Sequence, residues 1–193
     1  MLVVSPYYNK ATPQGIYLHY LSICNAVSIP VIVYNVPGRT GLDIPVSVYN
    51  QLASISNIAG VKEASTDITK IIRIRNACGP DFTIWAGNDD QIVPIMSLGG
   101  IGVISVLSNV CPKETHDICQ YALDGDFKAA AALQVKYLPL IDALFSDVNP
   151  IPVKEAFNIM GYEVGECRLP LIKMSDSAHE ALKAEMVKVG LVK

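Results

Sequence analysis

The chain has 193 residues, 51% of them hydrophobic, with 18 acidic against 15 basic side chains and a formal net charge of -3. That length suits one large domain or two small ones. The absence of a basic block argues against a nucleic-acid partner, and the short, punctuated apolar runs argue against a membrane span.

Five short apolar runs rich in Val and Ile read as strands: Leu2–Ser5, Pro30–Asn35, Ile58–Glu63, Phe82–Ala86 and Gly102–Val106. Helical periodicity fills the gaps near Gln14–Val27, Pro45–Ala53, Thr66–Cys78, Asp90–Leu98 and Lys113–Leu123. Pro45 suits a first helical turn, Asp90 a helix start, and Gly79–Pro80 a helix stop. Strand starts recur roughly every 20–30 residues, the length of one βα unit, which predicts an α/β fold with a parallel sheet covered by helices. Beyond residue 124 only helical patterns remain, over Asp126–Phe145, Pro152–Met160 and Ser175–Val189. We therefore expect an α/β region over 1–124 and a helical domain over 125–193, with no flexible linker between them.

Cys24, Cys78, Cys111, Cys119 and Cys167 are scattered without a C-x-x-C pair, so they read as reduced and mostly buried. His19, His116 and His179 fall at no ligand spacing, although His116 and Cys119 lie one helical turn apart. Two such residues cannot complete a zinc shell, and no metal site is expected. The start, Met1 to Pro6, does not read as a signal peptide or basic leader, so a cytoplasmic protein is expected. The glycines of "GGIGV" (Gly99–Val103) precede a strand, whereas a dinucleotide fingerprint follows one, so no nucleotide cofactor is expected. Asp89 and Asp90 read as helix capping.

The chemically unusual residues gather at the carboxyl ends of the strands. Tyr7 and Tyr8 follow the first, Tyr34 ends the second, Lys62 and Glu63 close the third, Gly87–Asn88–Asp89 follow the fourth, and Ser105 lies near the end of the fifth. In parallel α/β folds that face carries the active site. Most of the eleven lysines, Lys70 on its helix included, have an easy surface reading; Lys62 alone continues an apolar strand. Either it snorkels to water from the strand end, or it is a desolvated amine able to form an imine. Imine chemistry also needs a proton shuttle, and Tyr34, on the neighbouring strand, is placed to provide one.

The stretches "VVSPYYNK" (Val3–Lys10), "VIVYNVPGRTG" (Val31–Gly41), "IAGVKEAS" (Ile58–Ser65), "GGIGVISV" (Gly99–Val106) and "NPIPVK" (Asn149–Lys154) resemble, in order and spacing, the dihydrodipicolinate synthase family. The resemblance runs from residue 1 to the C-terminus. It implies a pyruvate-dependent class I aldolase on a (β/α)₈ barrel with a C-terminal helical domain. That family condenses pyruvate with aspartate-4-semialdehyde in lysine and diaminopimelate biosynthesis, without a cofactor beyond the covalent imine. Carried over by position, Lys62 would form the Schiff base, Tyr34 would be the acid/base beside it, and Tyr8 would be donated to a neighbouring subunit's relay. Arg39 would hold the aldehyde's carboxylate, the Ile104 carbonyl would lie near pyruvate, and Gly87 would border the second substrate. The family also implies a homo-oligomer, dimer or tetramer. Related enzymes such as N-acetylneuraminate lyase and the 2-keto-3-deoxy sugar-acid aldolases are the alternative, and Arg39 favours the amino-acid substrate over theirs.

Five strands are short of the eight that a closed barrel needs. The chain is thus expected to be a member of the family without its N-terminal part, which carries a Thr-Thr pair of the relay. Two outcomes stay open on sequence: an aldolase whose first segment was lost, or an inactive remnant that only self-associates.

Overall fold

A computed structural model describes residues 1–193. The chain divides into two compact units, Met1–Ile104 and Ser105–Lys193.

The first unit is a five-stranded sheet flanked by helices. Its strands are β1 (Leu2–Val4), β2 (Val31–Asn35), β3 (Ile58–Glu63), β4 (Thr83–Ala86) and β5 (Gly102–Val103). They lie side by side in chain order, each parallel to the next. The crossovers carry helices α1 (Pro13–Ala26), α2 (Pro37–Thr40), α3 (Val46–Leu52), α4 (Ile68–Cys78) and α5 (Ile92–Ser97). Local signals set the ends of these helices. The Thr12 hydroxyl accepts from the Gly15 N–H ahead of α1, and the Asp67 carboxylate accepts from the Thr69 N–H ahead of α4. Gly79 ends α4 at φ 79°, a left-handed conformation that glycine adopts without penalty.

Alternation along the strands separates two faces. Val31, Val33, Val61 and Ile84 point to one face and are fully buried, in the same core as Ile16 and Tyr20 of α1, Tyr49 and Leu52 of α3, and Ile71 and Ile74 of α4. The other face carries Ile32, Tyr34, Lys62, Thr83 and Trp85 and is only half-buried. Gly60 is required where β3 meets β4: its φ is +146°, and a Cβ there would fall 2.0 Å from the Thr83 carbonyl oxygen.

All five expected strands form, with ends that differ by a few residues. The fifth stops at Val103, because Val106 already leads into a 3₁₀ turn at Leu107–Asn109. Pro45 stands just before α3 rather than in its first turn, and Asp89 opens a 3₁₀ turn that precedes α5. Helix α2 has no counterpart in the hydrophobic pattern, since four residues are too few to display a period.

The second unit contains α6 (Pro112–Leu123), α7 (Phe127–Leu144), α8 (Ile151–Ile159) and α9 (Asp176–Lys188). Helix α7 packs against α6, α8 and α9, and the core joins Leu107, Val110 and Cys111 to Tyr137, Ile141, Leu182 and Met186. The division therefore falls after residue 104 rather than after 124. Helix α6 looks from its position like the last helix of the α/β pattern, but it packs on α7 and on the 3₁₀ turn at Leu107–Asn109. Of the five free cysteines, Cys24 and Cys111 are buried and the other three are half-buried, fewer in the core than their composition suggested. Burial pushes the Cys111 thiol up to about 12.

Candidate active site

The register of the sheet brings the expected reactive pair together. Tyr34 on β2 is paired with Lys62 on β3, and Lys62 is paired with Trp85 on β4. All three side chains leave the half-buried face at one level, near the carboxyl ends of the strands. The Lys62 Nζ lies over the Tyr34 ring, 4.3 Å from its centroid. Burial lowers the pKa of the Lys62 amine; the Asp89 carboxylate acts in the opposite direction, and the Arg39 guanidinium lowers it further. Burial raises the Tyr34 phenol, and Arg39 partly offsets that shift. The pair thus combines an amine biased toward its neutral, nucleophilic form with a phenol that retains its proton.

Around this pair the backbone supplies a rim. The Ile104 N–H donates to the Ala86 carbonyl at 2.9 Å, continuing the ladder one residue beyond β5. The Gly87 N–H donates to the Glu63 carbonyl at 2.7 Å, and a Cβ at Gly87 would fall 2.5 Å from the Ala64 Cβ. A glycine is needed there for the close approach of the loop after β4 to the end of β3. Arg39 sits on α2 and is exposed, close enough to act electrostatically on both Lys62 and Tyr34. Asp89, read from sequence as a cap, is buried, and its charge reaches Lys62.

Tyr8 is not gathered into this site. It is 88% exposed, with Tyr7 67% exposed beside it, and its φ is 67°. Both tyrosines line a cavity of about 630 Å³ with Ser5, His19 and Ile23, and Lys62 is not among its lining residues. No group of three or more His, Cys, Asp or Glu side chains could hold a metal ion, and no helix is long and apolar enough to cross a membrane.

Directly behind the reactive pair, on the helix-covered face, lies a polar cluster that the sequence reading missed. Glu63 is 1% exposed. Its Oε1 accepts from the Asn35 amide and the Ser65 N–H, both at 2.8 Å, and its Oε2 accepts from the Tyr49 hydroxyl at 3.2 Å. Asn35 also donates to Asp43, and its side-chain Oδ1 accepts from the Ile44 N–H at 3.0 Å. Lys70 completes the group. Its ammonium bonds Asp43 and stands 3.8 Å from Glu63 Oε2.

Lys70 therefore corrects the surface reading given to the helical lysines, because it is only 4% exposed. Two signals pointed here. Strand alternation puts Glu63 on the face of fully buried Val61, and α-helical spacing puts Lys70 one turn before buried Ile74.

Comparison with known proteins fits this geometry. The model of the Dihydrodipicolinate synthetase family matches residues 1–189. A 4-hydroxy-tetrahydrodipicolinate synthase from Caldicellulosiruptor bescii is 53% identical over 99% of this chain, which spans 64% of that relative's length. The solved dihydrodipicolinate synthase of Thermotoga maritima superposes with a TM-score of 0.96 at 41% identity, over 99% of this chain and 66% of its own. That of Acinetobacter baumannii, solved in complex with pyruvate, superposes with a TM-score of 0.95 at 38% identity, covering 99% of this chain and 66% of its own. The parallel strands and their helices correspond to part of the barrel in these enzymes, and the chain belongs to the dihydrodipicolinate synthetase family.

Proposed function

We propose that this chain carries the imine-forming half of a class I lyase site that joins pyruvate to L-aspartate-4-semialdehyde, giving 4-hydroxy-tetrahydrodipicolinate for lysine and diaminopimelate synthesis. The observation that carries the reading is the half-buried Lys62 amine, lowered in pKa by burial and seated over Tyr34.

In this reading the Lys62 lone pair attacks the pyruvate keto carbon, and the oxygen takes a proton relayed through Tyr34. The carbinolamine loses water to give an imine. Loss of a proton from the pyruvate methyl group gives an enamine, whose carbon attacks the aldehyde while the aldehyde oxygen is protonated. The second substrate's own amino group then adds to the imine carbon and displaces Lys62, closing the ring and returning the free amine. Arg39, exposed beside the pair, suits bidentate binding of the aldehyde's carboxylate. The Ile104 carbonyl would border pyruvate, and Gly87 the second substrate. No cofactor is required beyond the covalent imine.

The exposure of Tyr8 supports a homo-oligomer in which that residue serves a neighbouring copy's proton relay. Five free cysteines suit the reducing cytoplasm.

The test is to incubate the chain with pyruvate, reduce with borohydride, and map the modified residue by mass spectrometry. A reduced pyruvyl adduct on Lys62 is expected; labelling elsewhere, or none, overturns the reading.

A further inference from the structure

We infer that Glu63 and Asn35 are positioning residues for Lys62: together they clamp β3 against β2 at the register that holds the amine over Tyr34. The inference rests on Lys62 being the imine-forming amine, and it concerns two residues that touch no reacting atom.

The argument starts from the pleat. Lys62 and Glu63 are consecutive on β3, as are Tyr34 and Asn35 on β2, so each pair sends one side chain to each face of the sheet. Register pairs Tyr34 with Lys62 and, one step later, Asn35 with Glu63. The reactive pair on the half-buried face is thus backed by a hydrogen-bonded pair on the covered face, with the Asn35 amide donating to Glu63 Oε1 at 2.8 Å.

A clamp is needed here because the other end of the same ladder is irregular. Pairing runs Val31 with Ile58 but Ile32 with Gly60, so one residue of β3 is skipped near its start. A slip of one residue farther along would carry Lys62 through to the covered face, since side chains alternate with a period of two. The backbone ladder continues at the strand end, from the Ala64 N–H to the Asn35 main-chain carbonyl at 2.9 Å, and the Ser65 N–H donates to the Glu63 side chain at Oε1. Burial of Val33 and Val61 favours this register over its neighbour, and the side-chain pair adds a hydrogen bond that only this register can make.

The clamp is itself anchored to the helices. Tyr49 of α3 donates to Glu63, Lys70 of α4 stands beside it, and Asp43 and Ile44 hold the far side of the Asn35 amide. A carboxylate so buried persists because each of its oxygens is met by donors. Glu63 therefore links two helices and the neighbouring strand to the position of one amine.

The test reads Lys62 in two ways. Its pyruvate adduct is trapped with borohydride at neutral pH, and its acylation by acetic anhydride is followed across pH, both by peptide mass spectrometry. Charged and titratable groups facing the amine are Asp89, Arg39 and Tyr34, and none of them is altered.

In Glu63→Met, which keeps bulk but accepts no hydrogen bond, the trapping rate should fall at least about tenfold, as misplacement of a reacting group by an ångström does. The acylation midpoint should move up, toward that of an exposed lysine. Glu63→Gln retains an oxygen for Asn35 and Ser65, and should stay within about twofold of the parent in trapping, with an unmoved midpoint. Asn35→Ala removes the clamp from the other strand and should behave as Glu63→Met does. It also carries the test if Glu63→Met does not fold, as judged by far-UV circular dichroism and the emission of Trp85, the single tryptophan.

Folded Asn35→Ala or Glu63→Met protein with parental trapping and midpoint overturns the clamp. So does Glu63→Gln failing as badly as Glu63→Met, because the charge rather than the hydrogen bond would then matter. If the parent forms no adduct on Lys62, the imine reading fails. The acylation midpoints still decide the positioning claim in that case.

Discussion

Two lysines on opposite faces of one sheet show how differently a buried amine can be set. Lys70 is the more deeply buried, but its ammonium bonds Asp43, stands near Glu63, and lies 5.6 Å from the centroid of the Tyr49 ring. Partners of opposite charge surround it, and its charge serves to neutralise two carboxylates. Lys62 is only half-buried, yet it faces an aromatic ring, with a guanidinium opposing the influence of Asp89. Burial with carboxylate partners makes a structural cation. Partial burial beside a second cation favours the neutral amine, and hence nucleophilicity.

The contrast can be broken most sharply by Lys62→Ala. All trapping of pyruvate should vanish, with no transfer of label to Lys70; a reduced adduct at Lys70 by peptide mapping would erase the distinction.

Lys70→Met should leave the Lys62 chemistry in place but cost about 3 kcal/mol of stability in urea unfolding, because Glu63 is stranded without its cation. A loss under about 1 kcal/mol would mean that the hydrogen bonds to Glu63 suffice. Removing the cap of the helix that carries Lys70, by Asp67→Ala, should cost about 1 kcal/mol in the same measurement and leave trapping unchanged in folded protein.

The finest test is the sign of two pH shifts. Asp89 raises the pKa of Lys62 and Arg39 lowers it, so Asp89→Asn should move the midpoint of Lys62 acylation down and Arg39→Ala should move it up. Shifts of one common sign would contradict the opposed influences assigned to them.

Much of this arrangement was legible in the amino-acid order. Short Val- and Ile-rich runs marked every strand, and of the odd residues at their ends Tyr34 and Lys62 are register partners, whereas Tyr7 and Tyr8 line a separate cavity. Lys62 and Tyr34 could be assigned to one pocket because neighbouring strands in a βα series usually pair. The cluster behind them was not legible in the same way. Asn35 and Glu63 meet across strands, Tyr49 and Lys70 come from separate helices, and no local period links the four. Glu63 carried a signal in its alternation with Val61, but a charged residue at a strand end reads first as exposed. The unit boundary was hidden because α6 obeys the same periodicity whichever core it joins.

The order of the sheet has a consequence for how the first unit is made. Every strand pairs only with the strands immediately before and after it in the chain, so no pairing awaits a distant segment. Loop closure is therefore local at each step, and contact order stays low for a parallel sheet. As synthesis proceeds, each βα unit can dock on the one already formed. Lys62 would then acquire its aromatic neighbour Tyr34 as soon as β3 is added, before the loop that carries Asp89 has docked.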